Sequence, residues 1–184
     1  IKAGADAVKV GIGPGAACPT RVVTGVGVPQ LTAIMDCLKI SRKYDIPIIA
    51  DGGVKNSGDL SKALAAGADT VMIGSLLAGT DEAPGEYILE EGGAYKFYRG
   101  MASREAGEDK ARLDGASDGL VRAPEGKAGR VSYRGPARNV VNGLVAGLRS
   151  SMSYLGARNL AEFHRNAEFI KITDGGIKEG MARN

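Results

Sequence analysis

The 184-residue sequence contains only two cysteines, Cys18 and Cys37, and one histidine, His164. Two cysteines are too few for a disulfide scaffold, and they lack the spacing of metal ligands. No apolar run approaches the roughly 18 residues that a membrane-spanning helix needs, and no charged segment followed by an apolar one marks a signal peptide. These absences argue against a disulfide-rich secreted domain or a membrane protein. They predict a soluble protein in a reducing, cytoplasmic compartment.

The charge is nearly balanced, and the basic residues are spread along the chain. Lys and Arg number 24 and Asp and Glu 21, a formal net charge of +3. Because no basic patch is formed, the sequence does not favour a partner that is a nucleic acid or an anionic membrane. Glycine is abundant instead, with 28 residues. The glycines lie mostly at the ends of apolar runs, which predicts tight turns after buried strands rather than collagen or disorder.

Three strand-then-helix units are predicted in the first part of the chain. Short apolar runs bounded by glycine and small residues predict buried strands, at 7–12, 46–50 and 70–74. Apolar residues at helical spacing predict a helix over 30–43, and Ser57 is the predicted cap of a second helix that ends at Gly67. Strands of continuous apolar character that alternate with helices indicate a parallel sheet covered by helices. This order favours part of a (β/α)8 barrel, with a doubly wound sheet as the alternative.

A complete barrel needs about 250 residues, so this chain can supply only some of its units. The chain also opens at Ile1, without an initiator methionine, in what is predicted to be the end of a helix. We therefore expect a fragment of a longer protein.

The second half of the chain has a different predicted structure. Tyr87–Leu89 and Tyr95–Tyr98 predict a β-hairpin. Residues 102–130 carry many charges and few large apolar groups, so we expect a long, mobile surface loop. The remaining predicted elements are a helix over 136–155, a short helix around 159–165, a strand at 169–172 and a polar tail.

Each of the three predicted parallel strands ends in glycine and small or polar residues. The three ends are Gly11-Ile12-Gly13-Pro14-Gly15, Asp51-Gly52-Gly53 and Gly74-Ser75. Ligands of parallel α/β folds bind at the carboxyl ends of strands, and glycines there let backbone N–H groups approach an anion. Any one end also fits a plain tight turn, but three together predict a phosphate cradle. The Asp51 carboxylate fits either a ribose diol or a turn cap on the Gly53 N–H.

Cys18 is a candidate nucleophile. It lies in the glycine-rich loop after the first predicted strand, with Thr20 and Arg21 close by. A structural cysteine is normally buried in an apolar helix or strand, as we expect for Cys37. The thiolate is the reactive form of cysteine, and nearby positive charge or a helix N-terminus favours it. A Cys–His pair is not favoured, because His164 lies on a polar segment far along the chain.

Several loops closely resemble those of the IMP dehydrogenase/GMP reductase family. The cysteine loop carries the resemblance first, with Gly11-Ile12-Gly13-Pro14-Gly15-Ala16-Ala17-Cys18-Pro19-Thr20-Arg21 and Thr24-Gly25-Val26-Gly27-Val28-Pro29-Gln30. The other matching stretches are Ile49-Ala50-Asp51-Gly52-Gly53, Gly74-Ser75-Leu76-Leu77-Ala78-Gly79-Thr80 and Tyr98-Arg99-Gly100-Met101. The resemblance covers almost the whole chain. It implies that residues 1–184 are the C-terminal part of one (β/α)8 (TIM) barrel domain, with about its last three strands, a flap at about 102–130 and C-terminal helices.

The resemblance implies a purine nucleotide oxidoreductase that works in guanine nucleotide synthesis. Cys18 would attack C2 of IMP, hydride would pass to NAD, and water would hydrolyse the covalent thioimidate to XMP. Thr20 would assist proton transfer near that centre. The family also implies a homotetramer and a monovalent cation, expected to be potassium. Most of the nicotinamide-binding surface would belong to earlier strands.

The resemblance also assigns contacts to individual residues. Those implied for the ribose and the 5′-phosphate are Asp51, Gly53, Gly74, Ser75 and Tyr98. Those implied for the base are Gly100, Met101 and Glu125. Those implied for the cation are the carbonyls of Gly13, Gly15 and Cys18, with the tail around Glu179 contributed by a neighbouring subunit.

Some positions depart from the family pattern. Ala16 stands where the family usually has a phosphate-binding serine, and Pro19 replaces a threonine or isoleucine beside the nucleophile. Residues 102–130 contain no adjacent Arg-Tyr pair, whose arginine activates the hydrolytic water in IMP dehydrogenases; Arg112 is the nearest candidate. GMP reductases lack that pair, so reduction of GMP to IMP with NADPH is the alternative reaction. A purine-nucleotide-binding relative without catalysis is a third reading.

Overall fold

The first half of the chain contains a parallel sheet. The structure is a computed structural model, and it describes residues 1–114 and 123–181. The strands of the sheet are β1 (Val8–Val10), β2 (Ile48–Asp51) and β3 (Thr70–Met72), in the order β1-β2-β3. In this register Val8 pairs with Ile48, and Ile49 pairs with Thr70. The predicted parallel order of the strands is confirmed, and all three carboxyl ends lie at one edge of the sheet.

Helices connect these strands. Helices α1 (Thr20–Thr24) and α2 (Gln30–Ser41) lie between β1 and β2, α3 (Ser57–Ala65) lies between β2 and β3, and α4 (Ser75–Ala78) follows β3. The cap predicted for α3 is wrong by one residue. Asn56 is the N-cap, because its extended backbone lets its side-chain oxygen accept a hydrogen bond from the Asp59 N–H at 3.0 Å. Ser57 is the first residue of the helix.

Two apolar clusters hold the helices against the sheet. The first lies between the sheet and helices α2 and α3, with Val10, Ile34, Ile48, Ala50, Ala63, Ala66 and Ala68. The second contains Val54, Leu60, Leu64, Leu76, Leu144 and Phe163. Cys37 was expected to be buried and is exposed. The face of α2 that packs against this cluster includes Leu31, Ile34 and Leu38, and Cys37 lies outside it.

The second half of the chain begins with an antiparallel sheet. The predicted hairpin is confirmed as β4 (Tyr87–Glu90) and β5 (Gly93–Arg99), and β6 (Ala128–Ser132) adds a third strand next to β5. In this sheet Tyr98 pairs with Gly129.

The prediction of a long loop at 102–130 is wrong at 104–114 and 128–130, which form a helix and the start of β6, whereas 123–127 lie outside helices and strands. Helix α5 (Arg104–Asp114) occupies its first half, and the buried Ser103 precedes it and accepts a hydrogen bond from the Ala106 N–H. Charged residues such as Glu, Lys and Arg have good helix propensity, but they leave no apolar stripe from which a helix would be predicted. Residues 115–122 lie outside the described residues.

Three helices complete the described chain: α6 (Ala137–Tyr154), α7 (Leu160–Asn166) and α8 (Asp174–Glu179). The predicted helices at 136–155 and 159–165 are confirmed. The predicted strand at 169–172 is wrong, because these residues form coil. Ile170 is 84% exposed, so the apolar pattern here does not mark a buried strand. No helix within residues 1–114 and 123–181 is both long and apolar enough to cross a membrane.

Gly147 allows α6 to pack closely against α3. A Cβ atom at Gly147 would lie 2.3 Å from the Cβ of Ser57, whereas a Cβ at Gly143 on the same helix would meet nothing within 4 Å. One turn further along α6, the Ser151 hydroxyl donates to the Ser61 hydroxyl at 3.1 Å.

We expect opposite effects on stability from two alanine substitutions in α6. Gly147→Ala should lower the free energy of unfolding by about 1–3 kcal/mol, since a methyl group is forced into a filled interface. Gly143→Ala should raise it by up to about 1 kcal/mol through helix propensity alone. Denaturant unfolding of the two variants tests this. Equal effects would contradict the proposed close approach of the helices.

His164 is a partly buried histidine on α7. Its Nε2 atom is buried and has no hydrogen-bond partner among the described residues. Burial lowers the pKa of His164 below its ordinary value of 6.5, and the positive charge of Arg42 lowers the pKa further. The folded protein therefore favours the neutral imidazole.

The stability of this chain should fall in mild acid because of His164. Below about pH 6.5 the unfolded chain binds the imidazole proton more readily than the folded chain, so the free energy of unfolding decreases as the pH falls. Above about pH 6.5 the imidazole is neutral in both states, and His164 causes no loss of stability. His164 is the only histidine, so unfolding of the wild type and of His164→Gln between about pH 5 and about pH 8 isolates its contribution. Parallel pH profiles would show that its protonation is not linked to folding.

Candidate functional site

A cavity of about 120 Å³ lies where the three parallel strands end. Residues from all three strand ends line it, and Tyr98 of β5 closes it from the antiparallel sheet. The structure thus brings together the residues implied for the ribose and the 5′-phosphate, namely Asp51, Gly53, Gly74, Ser75 and Tyr98. Ala16 also borders the cavity, and its methyl group offers no hydroxyl there.

Glycines let the strand ends approach one another closely enough to form this cavity. Gly52 has φ +89°, and a Cβ there would lie 3.0 Å from the Gly15 backbone nitrogen and 2.9 Å from the Pro14 ring. A Cβ at Gly74 would lie 3.2 Å from the Tyr98 hydroxyl. A side chain at either position would therefore separate the loops or displace the tyrosine.

Asp51 is held by its neighbours at the end of β2. Its carboxylate forms an ion pair with Lys9 of β1, and 29% of the Asp51 side chain remains exposed. The amide of Gln30 donates to the backbone carbonyls of Val10 at 2.8 Å and Asp51 at 3.3 Å. These contacts fix the orientation of Asp51, while its exposed oxygens can still accept hydrogen bonds from a ligand. The sequence analysis did not identify Lys9 and Gln30 as neighbours of Asp51. For Lys9 a signal was available, because it is a charged residue in the middle of an apolar strand.

Cys18 and Thr20 lie next to each other at the start of α1. The Cys18 Sγ is 3.1 Å from the Thr20 Oγ1, and either atom can be the donor. Thr20 is buried, whereas Cys18 is partly exposed. The Cys18 N–H donates to the Gly15 carbonyl at 3.0 Å. The arrangement presents an accessible thiol beside a fixed hydroxyl, which can exchange a proton with it.

Backbone hydrogen bonds join the cysteine loop to two distant segments. The Lys127 N–H donates to the Ala17 carbonyl at 2.9 Å, and the Gly100 N–H donates to the Lys127 carbonyl at 2.9 Å. A Cβ at Gly100 would lie 2.9 Å from the Ala17 oxygen, and a Cβ at Gly126 would lie 2.3 Å from the Ser103 nitrogen. Two of the segments implied for the base are therefore packed against the residues next to Cys18.

Tyr98 also borders two larger grooves. One, of about 200 Å³, runs between the cysteine loop and β6. The other, of about 610 Å³, is lined by Pro84, Phe97 and Met101 among others. Met101 is 88% exposed, and Glu125 is half-buried. The strand-end cavity and the two larger grooves thus share Tyr98 as a lining residue.

Arg112 and Glu179 lie on helices apart from these cavities. Arg112, on α5, pairs with Asp109 at 3.7 Å, and the same carboxylate accepts from Arg99 at 2.7 Å. The Arg112 side chain is 78% exposed. Glu179 ends α8 and is exposed. The cavities around Tyr98 are lined by other residues of the described part of the chain.

The sequence matches the family model described as IMP dehydrogenase / GMP reductase domain over residues 1–183. It is 56% identical to an inosine-5′-monophosphate dehydrogenase of Chlorobaculum parvum, over 97% of this chain and 37% of that protein. It is 57% identical to the enzyme of the same name from Aquifex aeolicus, again over 97% of this chain and 37% of that protein. The chain therefore spans less than two fifths of the length of these relatives.

A solved structure is similar over the whole chain. A crystal structure of a GMP reductase variant from Trypanosoma brucei, in complex with guanosine 5′-monophosphate, matches with a TM-score of 0.92 and 48% identity. The match covers 100% of this chain and 37% of that one. Taken with the family model and the curated relatives, this match shows that the chain belongs to the IMP dehydrogenase/GMP reductase family.

Proposed function

We propose that the protein containing this chain oxidises IMP to XMP with NAD, through a covalent bond between Cys18 and the purine. The observation that carries the proposal is the strand-end cavity, which is lined by Asp51, Gly53 and Tyr98 and lies beside the cysteine loop. Curated relatives that are more than half identical to the chain bear the name inosine-5′-monophosphate dehydrogenase, which supports the dehydrogenase over the other reactions of the family.

The cavity volume supports a division of the nucleotide between two regions. At about 120 Å³, the cavity is smaller than the roughly 300 Å³ or more of pockets that enclose a whole small ligand. It would take the 5′-phosphate, with N–H groups of Gly53, Gly74 and Ser75 and the Tyr98 hydroxyl as donors. Asp51 would accept hydrogen bonds from the ribose. The base would then extend toward Gly100, Met101 and Glu125, next to the loop of Cys18.

In the proposed reaction the Cys18 sulfur forms a bond to C2 of IMP, and the hydrogen on C2 departs as hydride. NAD, when bound, supplies the hydride acceptor, and we propose that most of its contacts come from parts of the protein outside this chain. The Thr20 hydroxyl, 3.1 Å from the sulfur, would relay the thiol proton to solvent and relay a proton back when the thiol is released. Water would release XMP and the thiol. Arg112 is our candidate for activating that water, and this role requires its pair with Asp109 to open.

The cysteine loop offers ligands that suit a monovalent cation. Carbonyl oxygens are the ligands that potassium channels use. We propose that the carbonyls of Gly13, Gly15 and Cys18 hold potassium, with the segment around Glu179 of a neighbouring subunit completing the shell. The cation would keep the cysteine loop in shape. Such sharing requires an oligomer, which we propose to be a homotetramer.

We also propose that the parallel sheet is the last part of a (β/α)8 barrel. The order β1-β2-β3 with helices between the strands supports this, as does the structural match to 37% of a GMP reductase chain. Residues 1–184 would then be the C-terminal part of one catalytic domain.

Reduction of GMP to IMP with NADPH is the second candidate function. A GMP-bound GMP reductase matches the fold with a TM-score of 0.92, and residues 102–130 lack an adjacent Arg-Tyr pair. Both reactions use the same thiol and phosphate cavity, so substrate turnover rather than binding distinguishes them.

Cys18→Ala should abolish turnover of IMP and NAD by the longer protein, with a loss of at least about a thousandfold, because no bond to C2 can form. Binding of IMP should change less than about threefold, since the phosphate contacts remain. The assay measures NADH and XMP, and Cys37→Ser is the matched control, expected to retain activity.

Turnover of GMP with NADPH but not of IMP would replace the dehydrogenase with the reductase. Binding without either turnover would leave only a nucleotide-binding protein.

Tyr98→Phe should raise the KM for IMP by about tenfold to a hundredfold, because a hydrogen bond to a charged group contributes about 1.5–3 kcal/mol. Its effect on kcat should be small. Tyr133→Phe is the control, since the Tyr133 hydroxyl bonds Asp81 elsewhere. Steady-state kinetics of both variants test the assignment. An unchanged KM in Tyr98→Phe would remove Tyr98 from the phosphate site.

A further inference from the structure

Arg21 spans the cysteine loop from one end to the other. It is the second residue of α1, which begins two residues after Cys18. Its Nε donates to the carbonyl of Ile12 at 3.1 Å, and its Nη2 donates to the carbonyl of Val28 at 2.6 Å. Ile12 lies where the loop leaves β1, and Val28 lies just before α2. One guanidinium thus joins the entry and the exit of the loop that carries the thiol.

Two glycines make room for the Arg21 side chain. A Cβ at Gly13 or at Gly27 would lie 2.6 Å from the Arg21 Cγ. Gly25 lies in the same loop, also at positive φ, and a Cβ there would meet nothing within 4 Å. A side chain at Gly13 or Gly27 would therefore collide with the Arg21 side chain, whereas a Cβ at Gly25 would not.

Apolar packing contributes little to the position of this loop in the described structure. Its large aliphatic side chains are exposed, namely Ile12, Val22, Val23, Val26 and Val28. Polar contacts therefore hold much of the loop, and the Arg21 bridge is the side-chain contact among them that joins its two ends. A guanidinium is suited to the task, because its planar fork can donate to two acceptors at once, whereas an ammonium is a compact point charge.

We propose that Arg21 is a positioning residue for the Cys18 thiol. By bridging the Ile12 and Val28 carbonyls, it closes the loop and fixes α1, and with it Cys18 and Thr20, relative to the strand-end cavity. The inference rests on the proposed function in one respect, that Cys18 attacks the nucleotide. Arg21 itself does not touch the nucleotide in this account.

In the longer protein, Arg21→Met should lower kcat by about tenfold or more. The KM for IMP should change less than about threefold, because the groups proposed to bind the phosphate and the ribose lie after β2 and β3 and on β5, outside the bridged loop. Arg21→Lys should lose nearly as much, since it keeps the charge but cannot bridge both carbonyls. Arg149→Met removes an exposed arginine of α6 and should leave both parameters unchanged. Full activity of Arg21→Lys, or an equal effect of Arg21→Met on KM and kcat, would overturn the proposal.

A thiol-labelling experiment reports on the loop without turnover. Iodoacetamide should modify Cys18 at least about threefold faster in Arg21→Met than in the wild type, because the released loop exposes the thiol. Cys37 is exposed on α2 and serves as the internal reference. An unchanged ratio of Cys18 to Cys37 labelling would overturn the positioning role, even if Cys18→Ala proves the thiol essential. Conversely, active Cys18→Ala would refute the proposed function and leave the labelling result standing.

A second variant tests the same bridge with Arg21 intact, should Arg21→Met fail to fold. Gly27→Ala should displace the Arg21 stem and reproduce the loss in kcat and the faster labelling of Cys18. Gly25→Ala places a Cβ at a positive φ in the same loop, where it would meet no atom within 4 Å and so would not contact the Arg21 side chain. Its effect should be much smaller. Equal losses in the two glycine variants would overturn the proposal.

Discussion

The candidate site depends on the close approach of backbone to backbone at the ends of the parallel strands. At Gly52 no side chain would fit, because the loop after β1 already occupies the space where a Cβ would lie. The same is true of Gly11, where a Cβ would lie 2.0 Å from the Asp51 carbonyl oxygen. The glycines in these turns therefore bring successive strand ends into contact. Backbone N–H groups can then surround a small anion. Side chains in place of these glycines would keep the anion away from the N–H groups.

The antiparallel sheet adds what the strand ends lack. Tyr98 reaches the end of β3 from β5, and the pairing of Lys127 with Ala17 and Gly100 joins the turn after β5 and the start of β6 to the cysteine loop. Lys96, buried on β5, donates to the carbonyls of Thr80 and Ala83 and fixes the sheet to the segment after α4. The strand-end cavity and the region of the thiol thus share one framework, although their residues are far apart in the sequence.

Local patterns predicted the elements whose signals are local. Apolar runs ended by glycine gave the three parallel strands, and the apolar spacing in α2 and α6 gave the helices. The same reasoning failed where an apolar pattern had no partner to pack against, as at Ile170, or where a helix had no apolar stripe, as in α5. It also failed for Cys37, because which face of α2 is buried depends on where the sheet lies. The errors at Ile170 and Cys37 have one cause: burial is a property of neighbours, not of a segment.

The sequence by itself determined the chemistry available, which is a thiol beside a threonine, a carboxylate at a strand end and glycine at each turn that a phosphate would approach. It also determined the family, because the spacing of these residues within each loop is local. Only the tertiary structure decided which groups act together. Lys9 faces Asp51, Gln30 ties two strand ends, and Arg21 bridges Ile12 and Val28 because strand pairing and loop closure bring these atoms within hydrogen-bond distance. Residue type fixes what a side chain can donate or accept, and folding alone selects its partner.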